Sequence, residues 1–374
     1  MPKPLTIGVD IRDLQVAKTG TKTYLEELCK EFKKLNNSGL QFHFIDSSIP
    51  VYTGNNKLLK LIEHLRYQLW KQLVLPFKAL FKGCDIIFCT DNIVPLIHLG
   101  YKTIPVFHDA FFFESPEHYG KLWLWLYKVT AIPAAKRSPF VITPSAYAKK
   151  QINYFTHIAN EKLVVIHEGP KELSGDDVYN DTLLNQFSLK QKKYLLHAGS
   201  MFKRKNIPAL IQAFGKIKDT GYPDLKLVLV GSISPANVES DHAQILLAIK
   251  KNNLHDDVIF TGYLSDKELA HVYKNALMYM FPSLNEGFGI PVLEAFQYNL
   301  PVLAANNTSL PEVGGDAALQ FDPFDVNDIF AKIKIVLDNS ELRENMIIKG
   351  QERLKKFSWE KAALELVDVF RKAV

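Results

Sequence analysis

Short apolar runs alternate with amphipathic stretches along the chain, the βα pattern of parallel sheets. In the first half these runs predict strands at residues 5–9, 42–45, 85–88, 103–107, 140–143 and 163–166. In the second half they predict strands at 194–198, 225–230, 258–261, 278–281, 302–304 and 318–321. Two sets of six imply an α/β chain of two Rossmann-like, doubly wound parallel-sheet domains. Between the sets, residues 168–190 lose the period and carry Gly169, Pro170, Gly175 and a polar run at 176–181, as a linker does. A length of 374 residues exceeds what one core usually supports, in keeping with two domains.

The apolar pattern has a second feature. Residues 57–82 interleave Leu58, Leu61, Ile62, Leu65, Leu69, Trp70, Leu73 and Phe77 with Lys60, Arg66, Lys71 and Lys78, and residues 121–128 set Trp123 and Trp125 between lysines. Such stripes serve as core-facing helix surfaces, the favoured reading for most of the first segment. They also suit peripheral contact with an anionic membrane.

Composition narrows the class. With 47% hydrophobic and 23% charged residues the chain reads as a soluble globular protein. A formal charge of +5 gives only a mild pull on an anionic partner, and no element carries the basic and aromatic pattern of a nucleic-acid reader. Cys29, Cys84 and Cys89 lack metal-ligand spacing, and their odd number argues against a disulfide framework, so a reducing, cytoplasmic compartment is expected. The start, Met-Pro-Lys-Pro, has no signal-peptide pattern, and no apolar stretch is long enough to span a bilayer. The expectation is a protein neither exported nor integral.

The chemistry concentrates in residues 282–294, Pro-Ser-Leu-Asn-Glu-Gly-Phe-Gly-Ile-Pro-Val-Leu-Glu. Gly287 and Gly289 flank Phe288 and let the backbone approach a ligand closely, and the run from Pro291 through Phe296 reads as a buried helix. Amides at such a helix start attract phosphate. Glu286 before the helix and Glu294 two turns along it can bind hydroxyls at different parts of one ligand, which suits a sugar nucleotide. Upstream, Arg204 and Lys205 follow a predicted strand, where two cations can neutralise a diphosphate. Gly231 follows another predicted strand, and His108-Asp109 ends the strand at 103–107, a location from which functional side chains project. Asp109 positions rather than reacts. Gly20, in Thr19-Gly-Thr-Lys-Thr-Tyr24, joins the first strand region to a helix.

The spacing of Glu286 and Glu294 resembles the E-x7-E signature of retaining glycosyltransferases of family 4, in the GT-B superfamily. Gly199-Ser-Met-Phe-Lys-Arg-Lys-Asn206, Val230-Gly231, Phe260-Thr-Gly-Tyr263, Pro301-Val302 and Leu310-Pro-Glu-Val-Gly314 are similar to that family's blocks in the same order, densely over 194–325 and sparsely before. The resemblance implies a GT-B fold, with an acceptor-side domain over 1–170, completed by a last helix at 358–374 that opens at Phe357-Ser-Trp-Glu360 and crosses back. A nucleotide-sugar-binding domain would cover 171–357, and the two would face each other across a cleft that holds the ligand. It further implies that Arg204 and Lys205 stabilise the departing nucleotide and that Glu286 holds sugar hydroxyls while Glu294 holds the ribose. The donor is also contacted through Gly287, Phe288, Gly289 and Ile290, and, largely by backbone, at Gly231 and Tyr263. Gly20 lies near the donor phosphate and sugar, and His108 contacts the transferred sugar and acts on the acceptor.

Two departures stand out: Lys22 occupies a position where small residues are frequent, and Asn299 replaces the usual glycine after the helix from Pro291. Asparagine is the usual substitute in a left-handed cap. No Asp-x-Asp is present, so metal-independent transfer without a cofactor is expected, with a nucleotide sugar as co-substrate. Likeness to bacterial mannosyl- and rhamnosyltransferases makes GDP-mannose the first donor to test, then UDP- and dTDP-sugars, with a glycan or lipid-linked acceptor in surface polysaccharide biosynthesis. Such an enzyme would work in the cytoplasm or on the inner face of the membrane. A hydride-transferring enzyme would need a Gly-x-Gly-x-x-Gly that Gly8 and Gly20 do not supply. A non-catalytic module would lack the charged set, and a sugar-nucleotide epimerase of similar fold stays as the alternative.

Overall fold

A computed structural model describes residues 3–17, 20–37, 39–54, 56–114, 116, 121–173, 182–231 and 240–374. By contacts the chain divides into one unit of Met1–Glu168 with Ser358–Val374 and another of Gly169–Phe357, against the 170/171 and 357/358 boundaries read from the sequence.

The first unit contains β1 (Leu5–Asp10), β2 (Leu40–Ile45), β3 (Ile86–Cys89), β4 (Lys102–Pro105), β5 (Val141–Thr143) and β6 (Leu163–Val165). Four of them form a parallel sheet in the order β2-β1-β3-β4, while β5 and β6 pair separately. The expected set of six is thus split. β4 stops at Pro105, which has no N–H to give, and only the bridge of Val106 with Ile142 carries the pairing on. The C-terminal helix Trp359–Ala373 is capped by Ser358 and buries Ala363, Leu366 and Phe370, with the Phe370 ring 5.3 Å from Phe88.

The second unit contains β7 (Tyr194–Ala198), β8 (Lys226–Val230), β9 (Val258–Gly262), β10 (Met278–Phe281), β11 (Val302–Ala305) and β12 (Ala318–Phe321). They form one parallel sheet in the order β12-β11-β10-β7-β8-β9, the doubly wound order of a Rossmann fold. The order reverses between β7 and β10, so the carboxyl ends of those strands define the ligand crevice of this sheet. Helix Ile207–Lys218 covers it with Ile207, Leu210, Ile211, Phe214 and Ile217, a 3.6-residue stripe that is fully buried.

Two expectations need correction. The aperiodic segment 168–190 includes a helix, Thr182–Gln186, whose Leu183 and Leu184 are buried; residues 174–181 of that segment lie outside the described residues. The stripe at 57–82 is not core-facing. Helix Lys57–Leu69 runs through a π-helical turn, Trp70–Val74, into helix Leu75–Phe81, and Leu58, Leu61, Ile62, Leu65, Leu69, Leu73 and Phe77 are all exposed. The inward face instead holds Glu63, Trp70 and Lys71. Arg12 bonds Glu63 at 2.5 Å, and Lys71 Nζ lies 2.6 Å from Asp10 and 2.5 Å from Asp91. Buried charges persist only when paired, and these pairs supply the partners that let the polar face turn in.

Candidate active site

Loops after β7 and β10 are stitched together at the reversal point. Leu284 N–H donates to the Arg204 carbonyl at 2.7 Å, and Ser283 Oγ donates to the same carbonyl at 3.0 Å. Ser283 Oγ also lies 2.6 Å from Glu286 Oε1. This scaffold brings three of the expected side chains into one cluster: Glu286 accepts from Arg204 Nη1 at 3.2 Å and from Lys205 Nζ. Burial would raise the Glu286 carboxyl, but Lys205 and Arg204 beside it hold it down to about 2. For Lys205, burial outweighs the same pairing and lowers it to about 8. Its ammonium also lies 4.9 Å from the Phe281 ring centre. Two cations against one carboxylate leave an excess positive charge on an enclosed surface, which favours an anion.

His197, at the end of β7, lies behind this cluster. Its Nδ1 donates to the Met280 carbonyl at 2.9 Å, which leaves Nε2 as an unprotonated acceptor with no partner among the described residues. Burial first, then nearby Lys205, holds the ring neutral, down to about 4. Ser283, Ser309 and His197 were not singled out from the sequence. A serine four residues before a Gly-x-Gly carries no distinguishing signal, and a histidine inside an apolar strand reads as core.

The helix Ile290–Gln297 begins beside these groups. Gly289 has φ +131°, and a Cβ there would stand 2.9 Å from Leu310 Cδ2, so both the backbone conformation and the packing against Leu310 require glycine at this position. Ser309 Oγ donates to the carbonyls of Glu286 at 2.9 Å and Phe288 at 2.5 Å, fixing the loop that carries Gly287. Phe288 and Ile290 are buried. Pro291 has no amide and Val292 N–H closes on the Gly289 carbonyl, so in this first turn the amide of Ile290 is the one without an intrahelical acceptor.

Glu294 has different surroundings. It is 8% exposed, accepts from Tyr273 Oη at 3.1 Å, and burial raises its carboxyl to about 7, against the Tyr273 bond and the Lys171 charge that favour ionisation. Asn299, just past the helix end, has φ +55°, the left-handed cap that the asparagine implied. Gly231 has φ +137° with its amide on the Gly262 carbonyl, and Tyr263 next to that glycine is exposed. A Cβ on Gly231 would lie 1.9 Å from the Gly199 carbonyl oxygen, so the turns after β7 and β8 touch backbone to backbone.

In the first unit, Gly20 is the first residue of helix Gly20–Leu35, exposed and with open space where a Cβ would be. Gly20 thus lies in the helix rather than in a loop; Thr19 lies outside the described residues. His108 follows β4, with Nε2 2.9 Å from the Thr90 carbonyl and Nδ1 3.5 Å from Glu168 Oε1. Asp109 accepts from the Phe111 amide at 3.0 Å, a turn-capping role. Asp10, Cys89 and Asp91 converge closely enough to hold a cation, but the Lys71 ammonium occupies the place between the two carboxylates.

Two Rossmann-like units, one with a cationic turn and a glutamate loop at its strand-order reversal, make this chain a glycosyltransferase of the GT-B class. Its residues 181–353 match the family described as glycosyl transferases group 1. The chain is 28% identical over 351 residues to O-antigen chain mannosyltransferase B of Escherichia coli, covering 91% of this chain and 85% of that protein. It is 28% identical to O-antigen chain mannosyltransferase RfbU of Salmonella typhimurium, covering 75% and 72%. Among solved structures, sucrose-phosphate synthase from Thermosynechococcus elongatus matches with TM-score 0.75 at 18% identity over 98% of both chains. HepE of Anabaena, in complex with UDP and glucose, matches with TM-score 0.73 at 15% identity over 98% and 100%. No helix among the described residues is long and apolar enough to cross a membrane.

Proposed function

We propose that this glycosyltransferase moves mannose from GDP-mannose, with retention of anomeric configuration and without a metal ion, to a glycan or lipid-linked acceptor in surface polysaccharide biosynthesis. The observation that carries this reading is the convergence of Arg204, Lys205 and Glu286 at the β7/β10 reversal beside the start of helix Ile290–Gln297. A diphosphate is the ligand that fits an enclosed cation pair next to a helix start. As it binds, it takes Arg204 and Lys205 from Glu286, whose carboxylate then turns to sugar hydroxyls. Charge growing on the departing phosphate is met by the same two cations, where it is worth most. Glu294, two turns deeper, holds the ribose; Gly20 and Gly231 let the donor approach backbone, and His108 contacts the transferred sugar. The mannosyl part rests on the two O-antigen mannosyltransferase relatives.

A nucleotide-sugar panel in excess chelator tests this. GDP-mannose should raise the melting temperature most, and mannose should reach acceptor with the α configuration of the donor by NMR. Preference for UDP- or dTDP-sugars would replace the donor, an inverted product would overturn retention, and loss of transfer in chelator would overturn metal independence. Epimerised donor without acceptor would favour the epimerase reading.

The exposed stripe from Leu58 to Phe81 gives the peripheral membrane reading its support. Its only acid, Glu63, points inward onto Arg12, so the outer face offers leucines bordered by Lys60 and Lys82. A basic, apolar helix face fits an anionic bilayer and repels a second copy of itself. Flotation with anionic but not neutral vesicles is expected, and no enrichment on either would end the membrane reading.

A further inference from the structure

Glu168 was not among the residues singled out from the sequence, yet it ends the first of the two segments that make up the first unit, three positions past β6 and directly before Gly169. It is 5% exposed, and its one close polar partner among the described residues is the His108 ring at 3.5 Å. Across that ring, Nε2 meets the Thr90 carbonyl at 2.9 Å. A carbonyl only accepts, so Nε2 carries a hydrogen. A neutral ring in this tautomer would aim its Nδ1 lone pair at a carboxylate; a second proton converts that repulsion into an ion pair.

The ring is not free to turn away. Tyr24, from helix Gly20–Leu35, packs perpendicular to it with centroids 4.8 Å apart and is backed by Trp359 at 5.5 Å. The groups that bear on its charge are Glu168 after β6, Asp109 beside it, the Thr90 carbonyl after β3 and the buried Tyr24 hydroxyl, which has no partner among the described residues. Burial opposes a charged ring, while Glu168, then the Thr90 carbonyl and Asp109, favour it and raise His108 above the ordinary histidine value.

We propose that Glu168 is a positioning residue for glycosyl transfer: it locks His108 as an imidazolium anchored on the Thr90 carbonyl, so that His108 offers the transferred sugar a standing positive charge and does not deprotonate the acceptor. This rests on His108 contacting the sugar, as proposed above. The bookkeeping of the transfer step then closes without a histidine base. The bond from the anomeric carbon to the phosphate oxygen breaks, the acceptor oxygen bonds to that carbon, and the acceptor proton leaves to an oxygen of the departing diphosphate.

Histidine ring NMR on the full chain, with His108 assigned by its loss in His108→Gln, reads the lock directly. In the wild type His108 stays protonated to higher pH than an exposed histidine. In Glu168→Gln, which keeps the shape but not the charge, its midpoint moves to lower pH, and Glu168→Asp restores part of the difference. A group whose proton is held by the fold loses that contribution as pH rises through its folded value. The Glu168→Gln enzyme should therefore lose about tenfold in kcat at pH 8 and recover most of it near pH 6, with the donor KM little changed. An unmoved His108 midpoint in Glu168→Gln overturns the proposal, as does a loss of activity equal at both pH values. Full activity of His108→Gln overturns instead the placement of His108 at the sugar, whatever the ring titration shows.

Discussion

Replacing Glu286 by glutamine strands Lys205. The lysine side chain is 8% exposed and Arg204, 30% exposed, is a second cation beside it. The pair as a whole adds little to stability: holding Glu286 down from 4.5 to about 2 is worth about 3 kcal/mol, and pulling Lys205 down from 10.5 to about 8 costs a similar amount at neutral pH. Removing one member is different, since an uncompensated buried charge costs about 3–5 kcal/mol. The lysine can escape only by losing its proton, which for a group of reference value 10.5 sets a ceiling of about 5 kcal/mol at pH 7 and about 2 kcal/mol at pH 9. The destabilisation of Glu286→Gln should therefore fall from about 3–5 kcal/mol at pH 7 to about 2 kcal/mol or less at pH 9. Glu286→Gln with Lys205→Met should cost less than Glu286→Gln alone. Trp70, Trp123, Trp125 and Trp359 all belong to the first unit, so tryptophan fluorescence serves as the control, and urea-dependent hydrogen exchange at β7 and β10 reads the second unit. A pH-independent loss, or a double variant weaker than the single, would refute the stranded-charge account.

Two further outcomes follow from the same unit. Gly231→Ala puts a Cβ 1.9 Å from a carbonyl oxygen at a φ of +137°, and it should cost about 2–3 kcal/mol or more, seen as a lower melting temperature of the second unit; unchanged melting would mean the turns do not touch. Glu294 is raised from 4.5 to about 7, so its proton stabilises the fold below pH 4.5 and that stability, about 3 kcal/mol, is lost as pH rises through 7. Glu294→Gln should match wild type at pH 4.5, exceed it in urea stability at pH 8, and bind nucleotide more weakly by calorimetry; equal stability at pH 8 would show that Glu294 is not buried as described.

The inner strands β7, β8, β10 and β11 were legible because a strand buried on both faces reads as a continuous apolar run, as in Leu195, Leu196, Val228, Leu229, Met280 and Leu303. The left-handed cap at Asn299 was legible for a local reason, the short list of residues that tolerate that backbone. The cluster of Arg204, Lys205 and Glu286 was legible as a list of residues, but its internal pairing was not. That pairing depends on the β7/β10 neighbourhood, a contact over 81 residues of sequence. Glu168 escaped notice for the same reason: only the fold returns the end of β6 to the end of β4.

Helix 57–81 shows where periodicity misleads. The spacing of leucines and lysines fixes which side of the helix is apolar and which is polar, and the usual inference that the apolar side points inward assumes that the interior has nothing to offer a charge. Here the interior offers Arg12, Asp10 and Asp91, three charged side chains at or after the carboxyl ends of β1 and β3. Glu63 and Lys71 complete those pairs, and Trp70 adds its indole N–H to Asp10 at 3.2 Å. Leaving Asp10 and Asp91 buried without the Lys71 ammonium would cost several kcal/mol per carboxylate, more than is gained by burying one leucine at about 2 kcal/mol. The polar face therefore turns in, the one-residue π insertion at Trp70–Val74 adjusts the register that aims Lys71, and the leucines are left outward. An outward leucine stripe that long carries a cost in solubility, which is the physical reason that vesicle flotation is the measurement to make on it.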